Sequence, residues 1–318
     1  MQMRSSRYRL LACLAVAALA GLPTAAAADD WDACEKQSGD LAVAACARGI
    51  DSHQYTGQDL ARLHASRGVA YLAQGDVDHA MTDFNESMRV DPTYARAYFY
   101  RGNAWYRTGD FDRAIADYSE AIRLDAKSAR SAYSYENRGS TWGAKGDFDR
   151  AIADFNQAIR IDPKDAAAYY GRGVAWNRKG DPDRAIADYS EAIRIDPKTE
   201  HAYLNRGSAW AEKGKLDRAI ADFDQAIRLD PKDTVAYVNR GLAWKIKGNL
   251  DRAIADYSEA IRLDPKDAKA HYYRGVARAT KRSLQDALAD FETYSRLAPS
   301  DPEGPKFVAL IKKELRAR

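Results

Sequence analysis

The sequence is short of the residues that most chemistry needs. Only three cysteines occur in 318 residues, and no Cys-x-x-Cys pair exists for dithiol redox work. The five histidines, His53, His64, His79, His201 and His271, are scattered, with no two at metal-ligand spacing. There is no glycine-rich phosphate loop, no nucleophile elbow and no Cys–His constellation. Past the amino terminus no apolar run is long enough to cross a bilayer. A dominant charge is missing too. The net charge is +3, and Arg4, Arg7 and Arg9 in the first 28 residues supply it. A formally neutral body with mixed signs lacks the basic surface that a nucleic acid requires. These absences argue against an enzyme, a cofactor, a metal site and a nucleic-acid partner.

What the chain does contain is one unit, copied. The stretch 166–199 reads AAAYYGRGVAWNRKGDPDRAIADYSEAIRIDPKT. Its markers are an RG pair, an aromatic three residues later, a Gly-Asp turn, the run DRAIADY and a closing Asp-Pro. The proline position falls at Pro92, Ala126, Pro163, Pro197, Pro231, Pro265 and Pro299, at steps of 34 with one of 37. Self-similarity at such a period marks a stacked array, which grows linearly and counts as one extended domain.

Each unit predicts two helices. The larger residues Tyr169, Tyr170, Val174 and Trp176 fall in a proline-free stretch that suits a first helix. Gly180 can end it in the left-handed conformation, and Asp181 can cap the next, with Pro182 at the first helical position. Ala185, Tyr189, Ala192 and Ile193 then share one face, and Pro197 forbids continuation. Gly173 and Ala185 are small where the pair must cross closely. The early aromatics Tyr98, Tyr135, Tyr169, Tyr203 and Tyr237 read as packing between helices.

This pattern resembles the tetratricopeptide repeat family, in register over 61–94, 95–128, 132–165, 166–199, 200–233, 234–267 and 268–301. The resemblance implies an all-α fold, a right-handed superhelical α-solenoid of about seven repeats. A short N-terminal helical hairpin in 29–60 would precede it, and 302–318 would form a capping helix. The departures lie at the ends and in one loop. His64 takes the early aromatic position of the first repeat, and Arg278, Arg282 and Tyr294 replace Trp, Gly and Ala in the seventh. An insertion lengthens the loop in 126–134. The final run is amphipathic, with Phe307, Leu310, Ile311 and Leu315 on one face, which suits covering the open end of a stack.

The amino terminus has the layout of an export signal. Basic residues precede the apolar run 10–22, and Ala26-Ala27-Ala28 offers a cleavage point before Asp29, predicting a periplasmic or secreted protein. Leu10-Leu11-Ala12-Cys13 also resembles a bacterial lipoprotein box, the alternative in which Cys13 carries a lipid. Only three apolar residues separate Arg9 from Cys13, too few for that reading to lead. Cleavage leaves Cys34 and Cys46, one on each arm of a hairpin that turns at Gly39-Asp40. In an oxidising compartment a disulfide is the natural expectation, contributing ~3 kcal/mol if unstrained. The rival arrangements are two buried free thiols or a redox pair.

Two charges recur in every repeat. Arginine precedes the glycine (Arg67, Arg101, Arg138, Arg172, Arg206, Arg240, Arg274), and aspartate precedes the second-helix aromatic (Asp83, Asp117, Asp154, Asp188, Asp222, Asp256, Asp290). Matching periodicity predicts a bidentate pair that bridges helices within or between repeats and fixes register.

In the family the first helices line a concave groove. The resemblance places Phe99, Tyr100, Asn103, Tyr106, Tyr133, Glu136, Asn137, Tyr170, Asn205 and Asn239 there. Tyrosine supplies rigid contact area, and an asparagine amide can both give to and take from a peptide backbone. Asn137, Asn205 and Asn239 share one position and could form a partial ladder. The family's carboxylate clamp is not supported, because its basic positions hold Phe99, Ala167 and Gly171. The expectation is a non-enzymatic scaffold of the cell envelope that binds a protein or peptide segment.

Overall fold

A computed structural model describes residues 25–126 and 128–317. All but the last four residues of the expected export segment, Cys13 included, lie outside the described residues. Seventeen helices and no strand occur among the described residues, in two compact units divided between Ala104 and Trp105.

The first unit opens with α1 (Ala25–Lys36) and α2 (Gly39–Asp51), a hairpin turned by Gly39 at φ 61°. Cys34 and Cys46 are joined by a disulfide, as the hairpin predicts, with their Cα atoms 4.7 Å apart. The bridge is buried with Ala45 against Leu63 of α3 (Gly57–Gln74), and Trp31, Ile50 and Tyr55 pack around it. Next come α4 (Val77–Val90) and α5 (Ala95–Thr108), the last helix carrying the chain into the second unit. Gly75, at φ 85°, ends α3, and Asp76 caps α4 by accepting from the His79 N–H.

The second unit repeats that turn. Its helices are α6 (Phe111–Leu124), α7 (Ser131–Ala144), α8 (Phe148–Ile161), α9 (Ala166–Arg178), α10 (Pro182–Ile195) and α11 (Glu200–Glu212). After them run α12 (Leu216–Leu229), α13 (Thr234–Ile246), α14 (Leu250–Leu263), α15 (Ala268–Thr280), α16 (Leu284–Leu297) and α17 (Glu303–Arg316). Asp147, Asp181 and Asn249 cap α8, α10 and α14 through their side chains. The core is a row of rings, Phe155, Tyr189, Phe223, Tyr257 and Phe291, each buried where a first-helix glycine lets the helices close up. A Cβ added at Gly173 would sit 2.8 Å from the Tyr189 ring.

Neighbours stack in chain order, and consecutive first helices (α7, α9, α11, α13, α15) also touch one another directly. Consecutive second helices make no comparable contact among the described residues. The side on which like helices meet is the inner side of a curved stack, so the first helices of this unit lie inside.

The seventh pair departs from the pattern at its turn. Arg282 stands where the earlier turns have glycine and takes φ 66°, a conformation that a side chain resists. Its side chain makes an exposed contact with Glu314 at 3.3 Å, a pair worth little. Arg282→Gly is therefore expected to stabilise the protein by ~1 kcal/mol. A urea titration in which the midpoint falls or stays put would contradict this account of the turn.

Helix α17 covers the end of the stack with Phe307, Val308, Ile311 and Leu315 against Leu284 and Phe291. One part of the expected face is corrected. Leu310 is 52% exposed, and Val308 packs against the cluster in its place.

Candidate functional site

The periodic arginines are structural anchors. In the second unit Arg138, Arg172, Arg206 and Arg240 each donate through Nε and Nη2 to Asp154, Asp188, Asp222 and Asp256 at 2.6–2.9 Å. Arg274 grips Asp290 in the same way, as Arg67 grips Asp83 in the first unit. These bonds join the two helices of one repeat. The third arm, Nη1, donates backwards to the second helix of the preceding repeat. It meets Ser119, Asn156, Ser190, Asp224 and Ser258 in turn, at 2.6–3.0 Å. The expected Arg–Asp pair thus lies within each repeat, and the same guanidinium adds a separate bond to the repeat before it. Tyr135, Tyr169, Tyr203 and Tyr237 lay their rings beside these guanidiniums at 5.4–5.7 Å, so the early aromatics cover the anchors. In the last repeat Arg278 adds a second guanidinium to Asp290 at 2.8 Å.

A second ladder was not anticipated. Lys145, Lys179, Lys213, Lys247 and Lys281, at the ends of first helices, pair with Asp112, Asp149, Asp183, Asp217 and Asp251 of the preceding second helices. The signal was present in the sequence, since both residues recur at fixed positions, but it crosses a repeat boundary. Each aspartate is largely exposed, so each pair contributes little alone. Arg150, Arg184, Arg218 and Arg252 lie over Trp142, Trp176, Trp210 and Trp244 at 4.4–4.6 Å and screen those rings.

With the periodic cations engaged, the residues left for recognition are those on the first helices. In the second unit Tyr133 is 59% exposed and Tyr106 is 40% exposed. The side chains of Asn137 and Asn239 are half-buried and make no hydrogen bond among the described residues. Asn205 is engaged, its Nδ2 donating to the Tyr170 hydroxyl at 2.9 Å, so the three asparagines are not an equivalent row. In the first unit Phe99, Tyr100 and Asn103 are half-buried.

Two of the tyrosines that the resemblance places in the groove also pack on the core. Tyr170 packs on the buried Tyr189 ring at 5.9 Å, and Tyr100 stacks on the buried Phe84 ring at 6.2 Å. Both therefore carry packing of their own. Tyr170, next to the early aromatic Tyr169, lies on the ring of its own repeat, and Tyr100, two positions after Tyr98, lies on the ring of the repeat before.

Acid groups stand among these residues. Burial pushes the Glu136 carboxyl up to about 7, and the charge of Asp165 adds to the shift. Burial likewise raises Glu200, with Asp233 contributing and His201 opposing. Among the described residues no cluster of His, Cys, Asp or Glu has the make-up of a metal site, and no helix is long and apolar enough to cross a membrane.

Comparison with known proteins agrees with this geometry. A family model described as tetratricopeptide repeat matches residues 66–129 and 143–200. A second tetratricopeptide repeat model matches 201–233, and a TPR repeat model matches 245–281. No curated protein matches the chain. Among solved structures, a tetratricopeptide repeat protein from Parabacteroides merdae superposes with a TM-score of 0.57 at 20% identity, over 79% of this chain and 98% of that one. YrrB, described as a TPR protein with an unusual peptide-binding site, gives 0.50 at 24% identity, over 59% and 95%. The MamA protein gives 0.50 at 26% identity, over 53% of this chain and 92% of its own.

Proposed function

The chain belongs to the tetratricopeptide repeat family, and from that premise we propose that it is a non-enzymatic interaction scaffold of the cell envelope. It holds a polypeptide segment on the first-helix face of its second unit. One observation carries the reading: that face presents the exposed Tyr133 and the unbonded amides of Asn137 and Asn239, while the periodic arginines are held by aspartates. An exposed tyrosine offers apolar area with a polar tip, and free amides suit the backbone of an extended segment. The export layout of the first 28 residues and the Cys34–Cys46 disulfide support an oxidising compartment outside the cytoplasm.

The test is photo-crosslinking in the producing cell, with a photoreactive residue placed at Tyr133, at Asn239 or at the exposed Ala187 of α10. The first two positions should trap the same polypeptide, and Ala187 should trap none. With the trapped partner purified, Tyr133→Ala should weaken binding by ~2 kcal/mol, about 30-fold. Crosslinks at Ala187 with none at the other two positions would overturn the assignment.

A further inference from the structure

The first unit contains a cavity of its own. About 390 Å³ opens beside the disulfide-bonded hairpin, where α3 and the start of α5 complete its wall. Part of the lining is small and apolar, from Ala42, Ala65, Val69 and Ala70. Two guanidiniums also line it, and they differ. Arg62 is neutralised by Glu35 and lies over the Trp31 ring at 5.0 Å. Arg96 lies beside the Tyr94 hydroxyl, and no carboxylate among the described residues is within ion-pair distance of it. Glu35, the acid whose charge reaches Arg96, is bound to Arg62, so the half-buried Arg96 guanidinium has no carboxylate in direct contact and can grip an incoming one with two parallel bonds.

We propose that this cavity is a second recognition site, taking an Asp or Glu side chain from within a polypeptide onto Arg96. Small apolar groups beside that acid would rest on the alanine floor. Gln37, Ser38 and Ser66 line the cavity as well and offer hydrogen bonds to the backbone on either side of the acid. The site goes beyond the function proposed above: its residues are separate, and it specifies the charge of what is bound.

The probes are two acetylated, amidated decamers of Ala, Ser and Leu that differ only in a central Glu or Gln. Fluorescence anisotropy reads their binding to the full exported chain. The Glu peptide should bind at least about ten-fold more tightly than the Gln peptide, as one charge-assisted bond allows. Arg96→Gln should remove that preference, and Arg96→Lys should keep part of it. Tyr133→Ala should leave the preference intact, which separates this site from the face of the second unit. Equal binding of the two peptides, or none, overturns the proposal. An undiminished preference in Arg96→Gln overturns it as well. A free-carboxylate peptide without acidic side chains that binds as tightly as the Glu peptide overturns the choice of a side chain over a chain end.

Discussion

Gly173→Leu is expected to cost ~3 kcal/mol, the upper end of overpacking effects. The expectation rests on how close the helices come. A Cβ alone would stand 2.8 Å and 2.9 Å from two atoms of the Tyr189 ring and 3.3 Å from the Ala185 carbonyl oxygen. The ring cannot retreat, because Tyr189 is 1% exposed and itself carries Tyr170. The carbonyl cannot retreat either without opening α10. Leucine adds three further carbons to a place that has no room for one. For a chain of this size the thermal midpoint should fall by roughly 6–12 °C. Gly143→Ala is the control, since nothing lies within 4 Å of the added methyl and α7 gains a better helix former. Equal midpoints for the two variants would sink the close-crossing account.

Asp188→Ala should be comparably damaging. The carboxylate is buried and accepts two bonds from Arg172 at 2.7 and 2.8 Å. Its loss strands a guanidinium that is 20% exposed and pinned on its other side to Asn156. Breaking a buried pair by removing one partner costs ~3–5 kcal/mol, most of it the penalty of the uncompensated charge. The double variant Arg172→Met, Asp188→Leu should therefore recover a large part of the loss. Urea midpoints of the two single variants and the double variant form the cycle that measures this. A double variant no more stable than Asp188→Ala would show that the damage comes from lost packing and not from the stranded charge.

The repeat period, the crossing glycines, the capping aspartates and the Arg–Asp pairing were legible because several copies carry the same residues at the same offsets. Repetition substitutes for comparison: a pairing seen at Arg138, Arg172, Arg206 and Arg240 is hard to mistake. What escaped notice runs between copies. The lysine ladder joins Lys213 to Asp183, and the Asn205 bond joins a fifth-repeat amide to a fourth-repeat phenol. Such contacts depend on how far one repeat is rotated against the next, which no single unit's pattern contains. Single-copy features were the weakest. The packing side of α17 was misjudged at Leu310, and Arg278 was noted as a lost tryptophan when it in fact reinforces Asp290. The cavity beside Arg96 is of this kind too, since the one-off hairpin forms one wall.

The backward-reaching arm of each arginine has a consequence for how such a chain can change length. Every joint in the second unit is the same joint, with serine, asparagine and aspartate interchangeable as acceptors. Excision of 166–199 would bring Arg206 to Asn156, an acceptor already used by Arg172, and Lys213 to Asp149, already used by Lys179. No bond at the new junction would be of a kind the protein lacks. A gene encoding such a chain can therefore gain or lose whole 34-residue blocks by unequal recombination between its copies and still encode satisfied interfaces. The same exchange shifted by a few residues would leave a guanidinium without its carboxylate, so selection would see whole-unit steps and little in between.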